Sequence, residues 1–183
     1  MPLAGHGNQP FSARDAWVYP FSGGVPGTGK DVPGIISVTS EPDQETVEHR
    51  ADNTTISKVI TFNGLDITIT VGLWDFDAIA SIVGGAVSTT GTTPNQIRKI
   101  VHKSTDVPAD FALKTDAPSR SADGGATRLV LPRCQSGGTP NYGLTLDEYQ
   151  DLELSASAIP NAANEYIIIE QTETLLQVLT ASY

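Results

Sequence analysis

A mainly β fold with one short helix is what three features of this sequence predict. Glycine and proline are frequent, charged residues make up only 17% of the chain, and Thr and Ser recur throughout, a composition suited to many short strands joined by turns. Two alternating runs meet at Asn63-Gly64, a dipeptide that readily takes the left-handed dihedrals of a type I′ hairpin turn. Directly after Gly72, Asp75 is placed to cap a helix in which Phe76, Ile79, Ala80 and Val83 recur at helical spacing, with Gly84-Gly85 as its stop.

Taken in order, residues 1–30 carry little periodicity. Trp17-Val18-Tyr19 and Phe21 are their apolar cluster, and five residues of glycine and proline punctuation follow between 23 and 29. The expectation is an extended arm over 1–30, holding at most a short strand, and a single β-rich domain over 31–183. Gly24 to Lys30 has P-loop spacing as far as the lysine. Asp31 stands where a hydroxyl should meet magnesium, and Pro33-Gly34 would break the required helix, so turn punctuation is the better reading. Residues 35–40 form a strand that Glu41-Pro42-Asp43 turns, and 46–51 alternate as a polar strand, with Asp52-Asn53 as a turn into the central hairpin. A turn at Asn63-Gly64 sets Phe62 against Leu65, Ile60 against Ile67, Lys58 against Ile69 and Ile56 against Val71, leaving Thr61, Asp66, Val59, Thr68, Ser57 and Thr70 on a wetter face. Beyond the helix, 86–95 reads as a loop. Strands are expected within 97–102, 111–115, 126–134, 144–158 and 166–170, and the end of the chain, with Leu175, Leu176, Val178 and Leu179, is too apolar to stand without a partner surface.

Chemistry is sparsely represented. One cysteine, Cys134, builds neither an internal disulfide nor a thiolate metal site. His6, His49 and His102 have no metal-ligand spacing, no Gly-x-Ser-x-Gly elbow occurs, and a glycosidase pair drawn from Glu148, Asp151 and Glu153 would be arbitrary among so many acids. Asp75 and Asp77 are explained as a cap and a first-turn acid. No catalytic residue, metal or cofactor is expected, and the chain reads as a non-enzyme. Twenty-one acidic against eleven basic residues give a formal charge of −10, which argues against a dedicated nucleic-acid binder but suits a surface that lets DNA pass without holding it. No apolar run reaches the ~20 residues of a membrane span, and residues 1–10 lack signal-peptide blocks, so a soluble, not classically secreted protein is expected.

The glycine- and proline-rich amino-terminal stretch, the Asp52-Asn53 turn, the alternating strands through Asn63-Gly64 and the helix ending at Gly84-Gly85 resemble the major tail (tail tube) proteins of long-tailed bacteriophages, most clearly from Ala16 to Gly85. The resemblance implies a β-sandwich or split barrel with one flanking helix, whose inner strands join those of neighbouring copies into a ring-shaped barrel. Hexameric rings would stack into a tube in the virion tail, assembled in the host cytoplasm, with tape measure and terminator proteins as further partners and DNA passing through the lumen without specific binding. Glu48, Asp52 and Asp66 are then candidate lumen-facing residues, and Trp17, Tyr19, Phe21, Leu175, Leu176 and Leu179 candidate inter-subunit contacts. The 86–95 loop is a further stacking candidate. A terminator or baseplate ring, or a stand-alone β-sandwich binding or adhesion module, are the alternatives; the latter would want clustered exposed aromatics, which the sequence does not group.

Overall fold

The computed structural model describes residues 13–51, 54–108, 110–118, 125–138, 140, 142–143, 146–147, 149–172 and 179–183. The chain is mainly β, and among the described residues every strand pairing is antiparallel and there is one helix. The strands are β1 (Asp15–Ser22), β2 (Val25–Pro26), β3 (Lys30–Asp31), β4 (Ile35–Ala51) and β5 (Thr54–Val71). Helix α1 (Phe76–Val83) follows, then β6 (Ala86–Thr90), β7 (Ile97–Val101), β8 (Phe111–Pro118), β9 (Ala126–Ser136), β10 (Leu152–Ala158) and β11 (Ile168–Thr172).

Among the described residues one sheet runs β2-β1-β8-β9-β10-β5-β4, with β3 added to β1 and β11 to β9, while β6 and β7 form a separate hairpin. One edge of β9 is shared, taken by β11 between Ala126 and Val130 and by β10 from Cys134 to Ser136. Period-2 alternation builds the core. In β10, Leu152, Leu154, Ala156 and Ala158 are buried and Glu153, Ser155 and Ser157 exposed. Ile67, Ile69 and Val71 of β5 join them in one cluster with Val18 of β1, Leu113 of β8 and Leu131 of β9, so the sheet curls until its two halves share one core.

The helix forms where its cap predicted it. Asp75 Oδ1 accepts the amides of Asp77 and Ala78 at 2.9 and 3.0 Å, and Gly84, at φ 80°, ends the last turn with its amide on Ala80. Ala78, Ile79, Ile82 and Val83 are the buried face. Arg98 of β7 pairs with both Asp75 and Asp77, which ties the β6-β7 hairpin to the start of the helix.

Three expectations are corrected. Asn63-Gly64 is no hairpin turn: β5 runs through it without reversing. Asp43 pairs with Gly64 and Gln44 with Phe62, so Asn63 is the extra residue of a β-bulge. Gly64 is buried because β10 crosses close by, and a Cβ there would lie 3.3 Å from the Ala158 carbonyl oxygen. For the same reason Glu41-Pro42-Asp43 does not turn, since β4 continues as an edge strand, where proline's missing N–H is tolerated. Pairing extends to Ala51 and Thr54, and the Asp52-Asn53 turn expected from the sequence lies outside the described residues. Secondly, residues 13–30 are not an extended arm. β1 lies beside β8, with Ala16, Val18 and Tyr19 fully buried, because its apolar cluster meets Phe111 and Leu113 nearly a hundred positions away; residues 1–12 lie outside the described set. Thirdly, 86–90 is a strand, paired with β7 from Ala86↔Val101 to Thr90↔Ile97.

Candidate functional site

Two surfaces stand out, both built on β4 and β5. The first is the outer face of the three-stranded layer β4-β5-β10. Strand register aligns Ser37 with Thr70 and Glu153, Thr39 with Thr68 and Ser155, and Glu41 with Asp66 and Ser157. Alternation that sends Ile67, Ile69, Leu152 and Leu154 inward sends these outward. All nine positions are occupied by Ser, Thr, Asp or Glu. These nine positions make a hydroxyl-rich, negative face, with one acid on each strand and no cation. Ser157 donates its hydroxyl to Asp66 at 3.1 Å. Glu41 and Asp66 stand directly opposite each other as a like-charge pair.

The second surface is the far half of the β4-β5 hairpin. β10 covers β5 only from Leu65 to Val71, so beyond the bulge the two strands pair with each other alone. From Gln44 to Ala51 the ribbon runs about 25 Å at roughly 3.3 Å per residue. Apolar side chains occur on both of its faces. Val47 opposes Val59 on one, while Ile60 opposes Thr46 and Phe62 opposes Gln44 on the other. Val47, Val59 and Ile60 are more than half exposed, at 56%, 58% and 56%; Phe62 touches Tyr166 edge-on, with ring centres 5.1 Å apart.

The expected site residues separate. Asp66 lies on the polar face. Glu48 opposes Lys58 on the ribbon's other face, because it sits an odd number of residues from Glu41 along β4; the two acids are not brought together. Asp52 lies outside the described residues. Tyr19 is fully buried within its own chain, donating its hydroxyl to the Thr180 carbonyl at 2.7 Å and packing edge-on against Tyr183. Trp17 stacks on Tyr19, Phe21 lies beneath Arg133, and Leu179 is buried at 5% exposure. The end of the chain therefore covers β1 of its own subunit, anchored also by the Gly29 amide on the Ala181 carbonyl, and Tyr19 and Leu179 are withdrawn as inter-subunit contacts. Leu175 and Leu176 lie outside the described residues. The members of the polar face that sequence reasoning missed are Glu41 and Glu153. Alternation marks each as outward-facing, but only the register sets Glu41 opposite Asp66 and aligns Glu153 with Thr70, two rungs along the same face.

Catalytic and ligand-binding geometry is thin by comparison. Lys30 opens β3 and pairs with Val18 where a P-loop needs a helix. Asp31 follows, its carboxyl held above the usual range by desolvation and by the nearby Asp15 and Asp75, a setting hostile to phosphate. His49 opposes Ser57 on the ribbon, and His102 Nε2 lies 3.0 Å from the Tyr142 hydroxyl. Asp151 precedes β10, Glu153 is on the polar face, and Glu148 is outside the described residues. Among the described residues no three of His, Cys, Asp and Glu converge on a metal-sized site. No helix among them is long and apolar enough to cross a membrane. Neither a protein-family model nor a curated protein sequence matches the chain.

Proposed function

We propose that this chain is a structural subunit of a bacteriophage tail tube, a split barrel with one flanking helix that assembles into stacked, hexameric rings. The layer β4-β5-β10 forms the inner wall of each ring, and its outer face becomes the lining of an acidic conduit for genome delivery. The nine-position polar face carries this reading. DNA is held by proteins chiefly through Lys and Arg that displace its counterions; a wall of Ser, Thr, Asp and Glu offers none, and its acids repel phosphates over about 10 Å at moderate salt. Short hydroxyl side chains keep that wall smooth and hydrated.

Two further features support an assembling subunit. β4 ends the sheet, so its outer edge is a row of backbone donors and acceptors open to another copy, which ring closure would pair. The ribbon then supplies the apolar contact to a neighbouring copy that the amino-terminal arm and the end of the chain were expected to supply. Tape measure and terminator proteins are partners in this reading, DNA passes without base contacts, and the protein resides in the virion tail after assembly in the host cytoplasm.

Negative-stain electron microscopy across a concentration series tests it. Long hollow tubes of uniform width are expected. Closed single rings that never stack would replace the reading with a terminator or baseplate role, and a monomer at every concentration would remove it.

A further inference from the structure

Lys114 lies on the sheet face opposite to Leu113, hence away from the core, beside Trp17 of β1 and Val130 of β9. Its ammonium sits 4.0 Å from the ring centre of Tyr183 and 5.2 Å from that of Tyr19. Ring faces attract a cation but give it no ionic partner. Among the described residues no carboxylate lies within 4.0 Å of Lys114 Nζ and no hydrogen bond reaches it. Asp116, the nearest acid in sequence, is committed to Arg128 through bonds of 2.7 and 2.9 Å. Burial, with Arg128 adding to it, lowers the amine's pKa against the opposing pull of Glu170 and Asp116. The ammonium borders a hollow of about 230 Å³ whose other walls are Arg128, Val130, Ile168, Glu170 and Tyr183.

Among the described residues this half-buried ammonium is met by two ring faces and the longer-range field of Glu170 and Asp116, but by no carboxylate in direct contact, so its desolvation is only partly offset. We propose that this hollow is an anion site, which receives a carboxylate or phosphate group against Lys114. Arg128 contributes field, being already bonded to Asp116, and Val130 and Ile168 supply apolar walls that strengthen the charge interaction by excluding water. Glu170 faces the same hollow from β11 and opposes an incoming anion, so it sets the affinity. The anion has two sources of one chemistry: a small free ion, or an acidic side chain of a second copy. Only the second source involves assembly.

The test is limited acetic anhydride labelling read by peptide mass spectrometry, with exposed Lys99 as internal control. Dilute protein is compared in sodium phosphate, sodium acetate and sodium chloride at equal ionic strength, then at rising protein concentration in chloride. A small-ion site slows labelling of Lys114 relative to Lys99, about fivefold when the probe is at four times its dissociation constant, and Glu170→Gln lowers the concentration required. Protection that appears only with protein concentration identifies the carboxylate of a second copy. In parallel, phosphate or acetate raises the thermal midpoint of the wild type and not that of Lys114→Met, a variant that keeps the apolar stem. Labelling of Lys114 that tracks Lys99 under every condition overturns the proposal, whether or not tubes form.

Discussion

Replacing Val47, Val59 and Ile60 together by threonine puts a hydroxyl in place of a methyl or ethyl group at three exposed apolar positions of the ribbon and leaves its strand propensity intact. These side chains keep 56%, 58% and 56% of their surface open in the isolated subunit. Full burial of a Val or Ile is worth about 1.5–3 kcal/mol, so assembly has about 2.5–5 kcal/mol per subunit still to gain from the three. Threonine gives up only about four of these carbons, so at about 0.8 kcal/mol per buried carbon and the exposed fractions above the variant forfeits about 2 kcal/mol; at about 1.4 kcal/mol per factor of ten, the critical concentration for the proposed tube growth rises roughly twentyfold. The folded subunit loses little, because the ribbon beyond Phe62 pairs only with itself and surface substitutions of this kind cost about 0.5 kcal/mol or less. The assay is pelleting and light scattering over a dilution series, with the thermal midpoint of the dilute protein as control. An unchanged critical concentration refutes the role given to the ribbon. A thermal midpoint lowered by ten degrees or more would refute the premise that the ribbon lies outside the cooperative core.

Three further outcomes follow from the body of the subunit. Arg128→Met leaves the carboxylate of Asp116, 1% exposed, without its bidentate partner, and should cost about 3–5 kcal/mol in urea unfolding; a loss below 1 kcal/mol would mean that the acid relaxes into water. Gly64→Val drives a branched side chain toward the Ala158 carbonyl and should destabilise by about 1–3 kcal/mol, with the pairing of β10 lost first in hydrogen exchange. Burial pushes the Cys134 thiol up to about 12, so it should resist thiol reagents at pH 8 until the protein unfolds. The folded state then holds its thiol proton to higher pH than the unfolded chain does. This contribution favours folding fully below the ordinary thiol pKa of 9.0 and is lost as pH rises from there toward about 12, which chemical unfolding at pH 8 and pH 10.5 in wild type and Cys134→Ala would read as a steeper loss in the wild type.

Local signals were legible where a local cause decides. Asp75 caps its helix through bonds to residues two and three positions on, and Gly84 ends it by adopting positive φ, so both appear in a short window of sequence. Asn63-Gly64 misled because its glycine answers a distant demand: β10, joined to it only in the folded sheet, passes so close that a Cβ would press on the Ala158 carbonyl. Turn chemistry and bulge chemistry share residues, and only the third strand distinguishes them. β1 was visible as an apolar cluster, yet its burial depends on β8 about a hundred residues later. The polar face shows the same division. Asp66 was recognisable from alternation, whereas Glu41 came to stand opposite it, and Glu153 to share its face beside Thr70, through two strand registers that no local pattern encodes.

The composition of that face is itself a physical argument. A central β-layer gains stability from β-branched and aromatic cross-strand pairs, and opposed like charges cost it. Here Glu41 faces Asp66 across adjacent strands, and the single hydroxyl bond from Ser157 offsets the repulsion only in part. Exchanging either acid for Lys would convert the repulsion into an attractive pair at no cost in packing, since both side chains are exposed. Folding therefore supplies no reason to keep the acids together, and a chain of net charge −10 does not need this pair to stay strongly negative. What distinguishes this arrangement from the more stable one is the sign of the field it projects. A lysine on this face would give a phosphate backbone a point at which to dwell; nine small polar or acidic positions give it none.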